Sequence, residues 1–269
     1  MLNNIIYVLG MPRSGTSWLG QVFDSSPQTR FRLSPLFSYA FKNQLNEHST
    51  LNEWEELFKR VYHTNDEFME QTARRESGLY PTFSVKDENP EFLVIKDTRF
   101  HNLTSQMLKL VDNLKIVVIV RNPCGAIYSW LNAPREFPQG ADPLIEWRTG
   151  ACRKNGFGEF WGFDDWKEVT NMYLKFAREI PERVLIVRYE NLVDDSIQQI
   201  RRIFSYCGLD YTPQTEEFLK LSQKIHVDNE YAVFKNPKVK DMWKTGLQDV
   251  IKSAIINELN GSELEVFLK

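Results

Sequence analysis

The sequence predicts an α/β fold in which a parallel sheet of about four or five strands is covered by helices on both faces. Four short apolar, β-branched runs indicate buried parallel strands, at residues 5–9, 92–95, 116–120 and 184–187. The segments between them are longer and have helical spacing. Strands that alternate with helices imply right-handed crossovers and a sheet with two covered faces.

The composition narrows the class of protein. Of 269 residues, 42% are hydrophobic, which suffices for a substantial core, and the net charge of −3 argues against a general nucleic-acid binder. The run at 116–120 is far too short to span a membrane, and no basic, apolar leader precedes the first strand. Cys124, Cys152 and Cys207 are odd in number and widely spaced, which excludes a disulfide framework. We expect one domain over residues 1–269, located in the cytoplasm.

The first strand leads into a glycine-containing loop. Residues 10–17 are Gly-Met-Pro-Arg-Ser-Gly-Thr-Ser, and a helix is predicted over 16–23. Glycines permit a tight turn, and successive backbone N–H groups with the positive end of the helix can hold an oxyanion. The string nearly matches the nucleotide-binding P-loop, but Thr16 replaces its lysine and Arg13 supplies a cation instead. We therefore predict a P-loop-like fold that binds an anionic ligand.

The later strands bring further cations to the same edge. Residues 96–99 (Lys-Asp-Thr-Arg) follow the second strand, residues 121–123 (Arg-Asn-Pro) the third, and residues 188–190 (Arg-Tyr-Glu) the fourth. Ligands of such sheets bind at the carboxyl ends of the strands, so these side chains should converge. Pro123 can begin a helix at its first turn, with Ser129 two turns further on.

The remaining segments complete the helical layers and the caps. Residues 34–90 are polar and helix-prone without a clear central strand, and residues 131–165 are rich in Pro, Gly and aromatic residues. Both are predicted to be caps over the sheet, where they either recognise the acceptor or only cover the core. Further helices are predicted at 103–110, 166–179 and 197–207.

The loop resembles that of a known enzyme family. Residues 12–18 (Pro-Arg-Ser-Gly-Thr-Ser-Trp) are similar to the 5′-phosphosulfate loop of sulfotransferases that use 3′-phosphoadenylyl sulfate (PAPS). In that family an arginine after a later strand and a serine eight residues on hold the donor's 3′-phosphate, and Arg121 and Ser129 match them. The resemblance implies that the loop residues hold the phosphosulfate: Arg13, Ser14, Gly15, Thr16 and Ser17. It leaves Trp18 either against the adenine or in the core.

Two later segments resemble the family as well. Residues 188–192 (Arg-Tyr-Glu-Asn-Leu) carry Tyr189 at the place of a tyrosine near the donor's adenosine. Residues 241–244 (Asp-Met-Trp-Lys) carry Trp243 where the family has a tryptophan after the donor-closing loop. The Arg-Lys-Gly that the small-molecule branch has shortly before is absent, and Lys238 or Lys240 is expected to replace it, unless both are surface lysines.

The resemblance also implies catalytic roles. Arg13 should stabilise the departing bisphosphate, and Lys96 matches the family's catalytic lysine. The base is less defined, because Thr98 replaces the histidine of the small-molecule branch and residues 30–34 lack the glutamate of the carbohydrate branch. Asp97 is the first candidate, although it could equally be a structural partner of Arg99 or Arg13. His101 and then His48 follow.

The resemblance therefore implies transfer of a sulfuryl group from PAPS to a hydroxyl or amine, with adenosine 3′,5′-bisphosphate (PAP) as product and without a metal. A carbohydrate or polysaccharide is the favoured acceptor, because the loop and residues 96–99 resemble bacterial carbohydrate sulfotransferases more than the cytosolic steroid and phenol branch. A phenol or lipid is the alternative. A P-loop kinase or NTPase is disfavoured because Thr16 and Arg121 stand where its lysine and magnesium-organising acid should be. A non-catalytic binder of nucleotide or sulfated glycan is the other alternative.

Overall fold

A computed structural model describes residues 4–269. Residues 1–3 belong to the segment that is predicted not to be a leader, and they lie outside the described residues. The described chain contains a five-stranded parallel sheet with the strand order β2-β3-β1-β4-β5. Its strands are β1 (Asn4–Leu9), β2 (Thr29–Leu33), β3 (Phe92–Lys96), β4 (Leu114–Val120) and β5 (Val184–Arg188). The four predicted strands are confirmed, and the predicted parallel α/β fold with them.

The helices occupy the connections and the C-terminal part of the chain. They are α1 (Thr16–Asp24), α2 (Leu51–His63), α3 (Glu67–Glu70), α4 (Thr72–Glu76), α5 (Thr104–Leu110), α6 (Pro123–Leu131), α7 (Pro143–Thr149), α8 (Gly162–Glu179), α9 (Tyr189–Asp194), α10 (Ser196–Cys207), α11 (Pro213–Lys224), α12 (Trp243–Gly246) and α13 (Asp249–Leu259).

Both faces of the sheet are buried. Alternate residues of β1 enter two separate apolar clusters: Tyr7 packs with residues of α2, α5 and α8, whereas Val8 packs with residues of α1, α10 and α11. Successive side chains of a strand point to opposite faces, so this division places helices on both sides. No helix of residues 4–269 is long and apolar enough to cross a membrane.

The edge strand β2 was not among the predicted strands, and its arginines explain why. Arg30 and Arg32 interrupt the apolar run that indicates a buried strand. Arg32 is nonetheless buried, and its guanidinium donates to the carbonyl oxygens of Val61 (3.0 Å) and Tyr62 (3.3 Å) in the last turn of α2. These carbonyls have no partner within the helix, so Arg32 caps α2 from the strand.

The strand register brings the site-forming segments to one edge. Val8 lies beside Lys96 in β3, and Val120 lies beside Arg188 in β5. The chain therefore leaves β1, β3, β4 and β5 at the same end of the sheet. The predicted cap at 34–90 contains α2, α3 and α4, and the predicted cap at 131–165 contains α7.

Candidate active site

A cleft of about 840 Å³ lies at the carboxyl edge of the sheet. It is lined by residues of the loop after β1, the ends of β3 and β4, both caps and the segment after α11. Many of the predicted site residues line it together: Arg13, Gly15, Thr16, Ser17, Trp18, Lys96, Arg121, Ser129 and Tyr189. The predicted convergence of cations on one sheet edge is thus seen in the structure.

Glycine is required at two positions of the loop. Gly15 precedes α1 with φ +92°, and a Cβ there would lie 2.7 Å from a ring carbon of Tyr189. A Cβ on Gly10 would lie 2.5 Å from the carbonyl oxygen of Ile119. The loop is therefore pressed against β4 and Tyr189, with α1 starting directly behind it, which is the arrangement that holds an oxyanion at a helix N-terminus.

Arg13 spans the cleft from a left-handed backbone conformation, φ +67°. Its Nε donates to Ser129 Oγ (3.2 Å), and its other nitrogens contact the Glu136 carboxylate (3.4 Å) and the Glu230 carbonyl oxygen (3.1 Å). The loop, helix α6 and the segment after α11 are thus joined through one guanidinium. An incoming anion would meet Arg13 already surrounded by acceptors.

Arg121 is buried below the loop. It donates to the Arg13 carbonyl oxygen (2.9 Å), and its guanidinium lies 4.5 Å from the centroid of the Tyr189 ring. Its Nε is buried without a hydrogen-bond partner among the described residues. Pro123 begins α6 as predicted, and the Asn122 side chain caps it by accepting from the Cys124 N–H (2.9 Å).

Lys96 ends β3 in a buried position at the floor of the cleft. Burial lowers the pKa of Lys96 from 10.5 to about 8, an effect opposed by the nearby Asp97 and Glu136 carboxylates and reinforced by Arg74 and Arg99. The ammonium group is therefore still largely protonated at neutral pH.

The predicted bases are not among the residues that line the cleft. Asp97 is buried, and its Oδ1 accepts from Ser34 Oγ (3.1 Å) and from the N–H groups of Thr98 (2.7 Å) and Arg99 (3.0 Å). Burial raises the pKa of Asp97 despite these donors. The carboxylate thus organises the turn that presents Thr98 and Arg99 to the cleft.

The two histidines also lie away from the cleft lining. His101 is buried with its Nδ1 2.8 Å from the Tyr173 hydroxyl, and burial lowers its pKa to about 3. His48 is exposed in the first cap, before α2. Neither histidine is among the residues that line the cleft with Lys96.

The two late lysines predicted to bind the donor do not line the cleft, but a third lysine does. Lys240 forms an ion pair with Asp194, Lys238 is exposed, and neither lines the cleft. Lys235 does line it; its Nζ donates to the Val227 carbonyl oxygen (3.0 Å), and burial together with nearby Arg13 lowers its pKa. No residue motif around Lys235 distinguishes it in the sequence.

The other predicted donor residues lie at the border of the site. Trp243 does not line the cleft and packs beside Gly125, where an added Cβ would lie 3.3 Å from its ring. Ser14 is buried behind the loop. Trp18 lines the cleft and donates from Nε1 to Ser222 Oγ (2.9 Å), which fixes the indole at the cleft wall.

Sequence reasoning missed a set of cleft residues from the caps. Only the folding of the caps over the sheet brings them together: Phe37, Phe68, Arg74, Glu136 and Arg153. Trp161 lines the cleft as well, and it belongs to the predicted cap at 131–165, whose aromatic residues the sequence already singles out. Within residues 4–269, no group of three or more His, Cys, Asp or Glu side chains is arranged to hold a metal ion.

The fold and the site define a P-loop-like α/β protein with a cleft lined by several cations. The chain belongs to the sulfotransferase family, because the family's sequence model, described as "Sulfotransferase family", matches residues 5–213. This match confirms the family that the loop and strand-end motifs predict.

Individual relatives share only a small part of their sequence with this chain. Cytosolic sulfotransferase 14 of Arabidopsis thaliana is 26% identical over 217 residues, which cover 77% of this chain and 54% of that protein. The chain thus spans about half the length of that curated relative.

Solved structures support the fold. A mouse sulfotransferase, SULT7A1 complexed with PAP, matches with a TM-score of 0.55 and 16% identity over 99% of this chain and 88% of that one. The sulfotransferase STF9 from Mycobacterium avium matches with a TM-score of 0.53 and 16% identity, covering 98% and 79%.

Proposed function

We propose that this protein is a PAPS-dependent sulfotransferase that transfers the sulfuryl group to a hydroxyl or amine. One observation carries the proposal. The loop cation Arg13, the strand-end lysine Lys96 and the predicted 3′-phosphate pair Arg121 and Ser129 all line the same cleft. A 3′-phosphate reader beside a phosphosulfate loop distinguishes PAPS from ordinary adenine nucleotides.

The residues of the cleft fit this donor. The loop requires glycine at positions 10 and 15, so its backbone can approach an anion closely. The buried Nε of Arg121 has no hydrogen-bond partner among residues 4–269 and is available to a ligand. Arg121 and Ser129 would hold the 3′-phosphate, and Lys235 is the late cation best placed to assist them. PAPS supplies an activated sulfuryl group whose transfer leaves PAP as the product.

The chain's own residues would act mainly by position and charge. Lys96 is buried yet largely protonated, so it can bind the sulfuryl oxygens without reorganisation. Arg13 would exchange its contacts with Glu136 and Glu230 for the bridging oxygen, where negative charge develops. A loose, in-line transfer needs little else from the protein.

The proton of the acceptor needs a base at the cleft. Asp97 and His101 were the first sequence candidates, but three donors hold Asp97 and Tyr173 holds His101. Glu136 lines the cleft and affects the pKa of Lys96. We therefore propose Glu136 as the base, and a positioning role for Asp97 through Thr98 and Arg99.

A carbohydrate or polysaccharide remains the proposed acceptor, with a phenol or lipid as the alternative. Phe37, Phe68 and Trp161 of the two caps line the cleft, and a sugar ring or a phenol ring can stack on these side chains. A cytoplasmic location also remains a proposal, supported by the name of the Arabidopsis relative.

An acceptor screen with radiolabelled PAPS tests the proposal. The expected result is a labelled product from at least one glycan, phenol or lipid, with PAP formed in equal amount. Tight binding of PAP without any product would favour a non-catalytic binder. Magnesium-dependent ATP hydrolysis at a faster rate than any sulfuryl transfer would instead favour the NTPase alternative.

A further inference from the structure

Residues 158–161, in the cap that contains α7, dock on the turn that follows β3. The Phe100 N–H donates to the Gly158 carbonyl oxygen (2.8 Å). An added Cβ on Gly158, where φ is +82°, would lie 2.3 Å from the Phe100 ring. Phe160 packs edge-on against His101, with ring centroids 5.2 Å apart. The two chain segments are therefore in close contact through both backbone and side chains.

Glu159 lies within this contact and binds two side chains at once. Its Oε1 accepts from Arg99 Nε (2.9 Å), and its Oε2 accepts from Trp161 Nε1 (3.0 Å). The side chains of Arg99 and Glu159 are only 16% and 15% exposed. Their ion pair is therefore less screened by solvent than one at the open surface, and one carboxylate fixes both a guanidinium and an indole.

Both partners of Glu159 line the cleft, although Glu159 itself is not among the lining residues. The Arg99 guanidinium lies 4.0 Å from the centroid of the Phe37 ring, and the Phe37 and Phe68 ring centroids are 6.0 Å apart. Phe37 and Phe68 line the cleft from the other cap. A continuous series of contacts thus joins cleft-lining rings of the two caps through Arg99 and Glu159.

The same contacts are tied to the strand that carries Lys96. The Arg99 backbone N–H donates to Asp97 Oδ1 (3.0 Å), in the turn that directly follows Lys96. Arg99 also lies close enough to Lys96 to lower the pKa of that lysine. Because Asp97 holds the main chain of Arg99 and Glu159 holds its guanidinium, the position of the Arg99 side chain relative to Lys96 is fixed at both ends.

We propose that Glu159 is a positioning residue for the acceptor: it holds the Arg99 guanidinium and the Trp161 indole at the cleft wall, where both contact a ring that bears the reacting hydroxyl. This inference rests on the proposed sulfotransferase function and deepens it by assigning part of the acceptor site. Phenol rings and sugar rings can both stack on an indole and offer oxygen atoms to a guanidinium, so the test includes one of each. The alternative is a contact that stabilises the cap without acting on the acceptor.

The test follows sulfuryl transfer from radiolabelled PAPS to 2-naphthol and to chitobiose, with PAP binding measured by calorimetry on the same proteins. The probe that wild type sulfates with the higher kcat/KM identifies the class of ring. For that probe, Glu159→Ala should raise the acceptor KM about tenfold, less than the roughly 100-fold that a 1 Å misplacement of reacting groups can cost. Both kcat and PAP affinity should stay within about threefold of wild type, because the donor contacts are retained.

Further variants separate positioning from stability. Glu159→Gln keeps an oxygen acceptor, so it should raise the acceptor KM less than Glu159→Ala, and it replaces the alanine variant if that one does not fold. Glu263→Ala breaks the exposed ion pair with Arg178 (2.8 Å) and should keep the wild-type KM. Arg99→Ala combined with Glu159→Ala should raise KM by less than the product of the two single increases, because both remove one shared contact. Effects that multiply would overturn the assignment.

An acceptor KM within about twofold of wild type in both Glu159 variants overturns the proposal. A parallel loss of kcat or of PAP affinity overturns it as well, because such a loss indicates a structural role. The same holds for a wild type that binds PAP and sulfates neither probe, since the wall would then bind neither kind of ring. Failure of the wild type to bind PAP would instead refute the proposed function itself, which separates the two failures.

Discussion

Removal of the Arg121 guanidinium should weaken the binding of PAP far more than the binding of 5′-AMP. Arg121 is buried and lies over the Tyr189 ring at 4.5 Å, and its Nε has no hydrogen-bond partner in the part of the chain that the structure describes. A charge-assisted hydrogen bond contributes about 2–3 kcal/mol, which corresponds to roughly 30- to 150-fold in affinity. Arg121→Ala should therefore weaken PAP binding by about that factor.

The same side chain also donates to the Arg13 carbonyl oxygen at 2.9 Å, so its removal can loosen the loop. That effect acts on both nucleotides, whereas the 3′-phosphate contact acts on PAP alone. The assay is titration calorimetry of PAP and 5′-AMP on wild type, Arg121→Ala and the remote control Arg178→Ala. If Arg121→Ala loses affinity equally for PAP and 5′-AMP, the reasoning is refuted. Equal affinity of the wild type for the two nucleotides would also refute it.

Further predictions concern the lysine, the loop and the metal. Lys96→Ala should lower turnover at least tenfold more than PAP affinity, because its charge acts on the transferring group; equal losses measured by kinetics and calorimetry would contradict this. Since burial lowers the pKa of Lys96 to about 8, its cationic form prevails below that pH, and turnover should fall as the pH rises through about 8. A high-pH limb that stays in place in Lys96→Arg would rule Lys96 out as its origin. Gly15→Ala should weaken PAP binding at least tenfold, because φ +92° is strained for alanine and its Cβ would lie 2.7 Å from the Tyr189 ring; wild-type affinity by calorimetry would show that the loop adapts. Turnover should be unchanged in excess chelator, and activity that is lost and then restored by magnesium would contradict a metal-free transfer.

The sheet was predictable because its signals are local. Four strands consist of consecutive apolar residues, and strand, loop and helix succeed one another at fixed spacing around Gly15. β2 was not predicted, because Arg30 and Arg32 make its sequence look too polar for a buried strand. Both arginines donate to carbonyl oxygens of α2, and this tertiary contact cannot be read from a local pattern.

The donor half of the site was largely predictable for the same reason. Arg13 lies in the loop after β1, Lys96 ends β3 and Arg121 directly follows β4, so the parallel strand order brings all three to one edge. Lys235 and the cap residues Arg74 and Arg153 are fixed by the packing of long segments over the sheet. Asp97 shows the complementary difficulty: its type and place suit a base, and only the three donors on its Oδ1 reveal a structural role.

The most direct test of the central claim is sulfuryl transfer from radiolabelled PAPS by wild type and Lys96→Ala in parallel, with PAP binding measured on both proteins. The account predicts that wild type forms labelled product and PAP in equal amounts, while Lys96→Ala binds PAP nearly as well and transfers little. A wild-type protein that binds PAP but labels no acceptor, or a Lys96→Ala variant with full turnover, would contradict it.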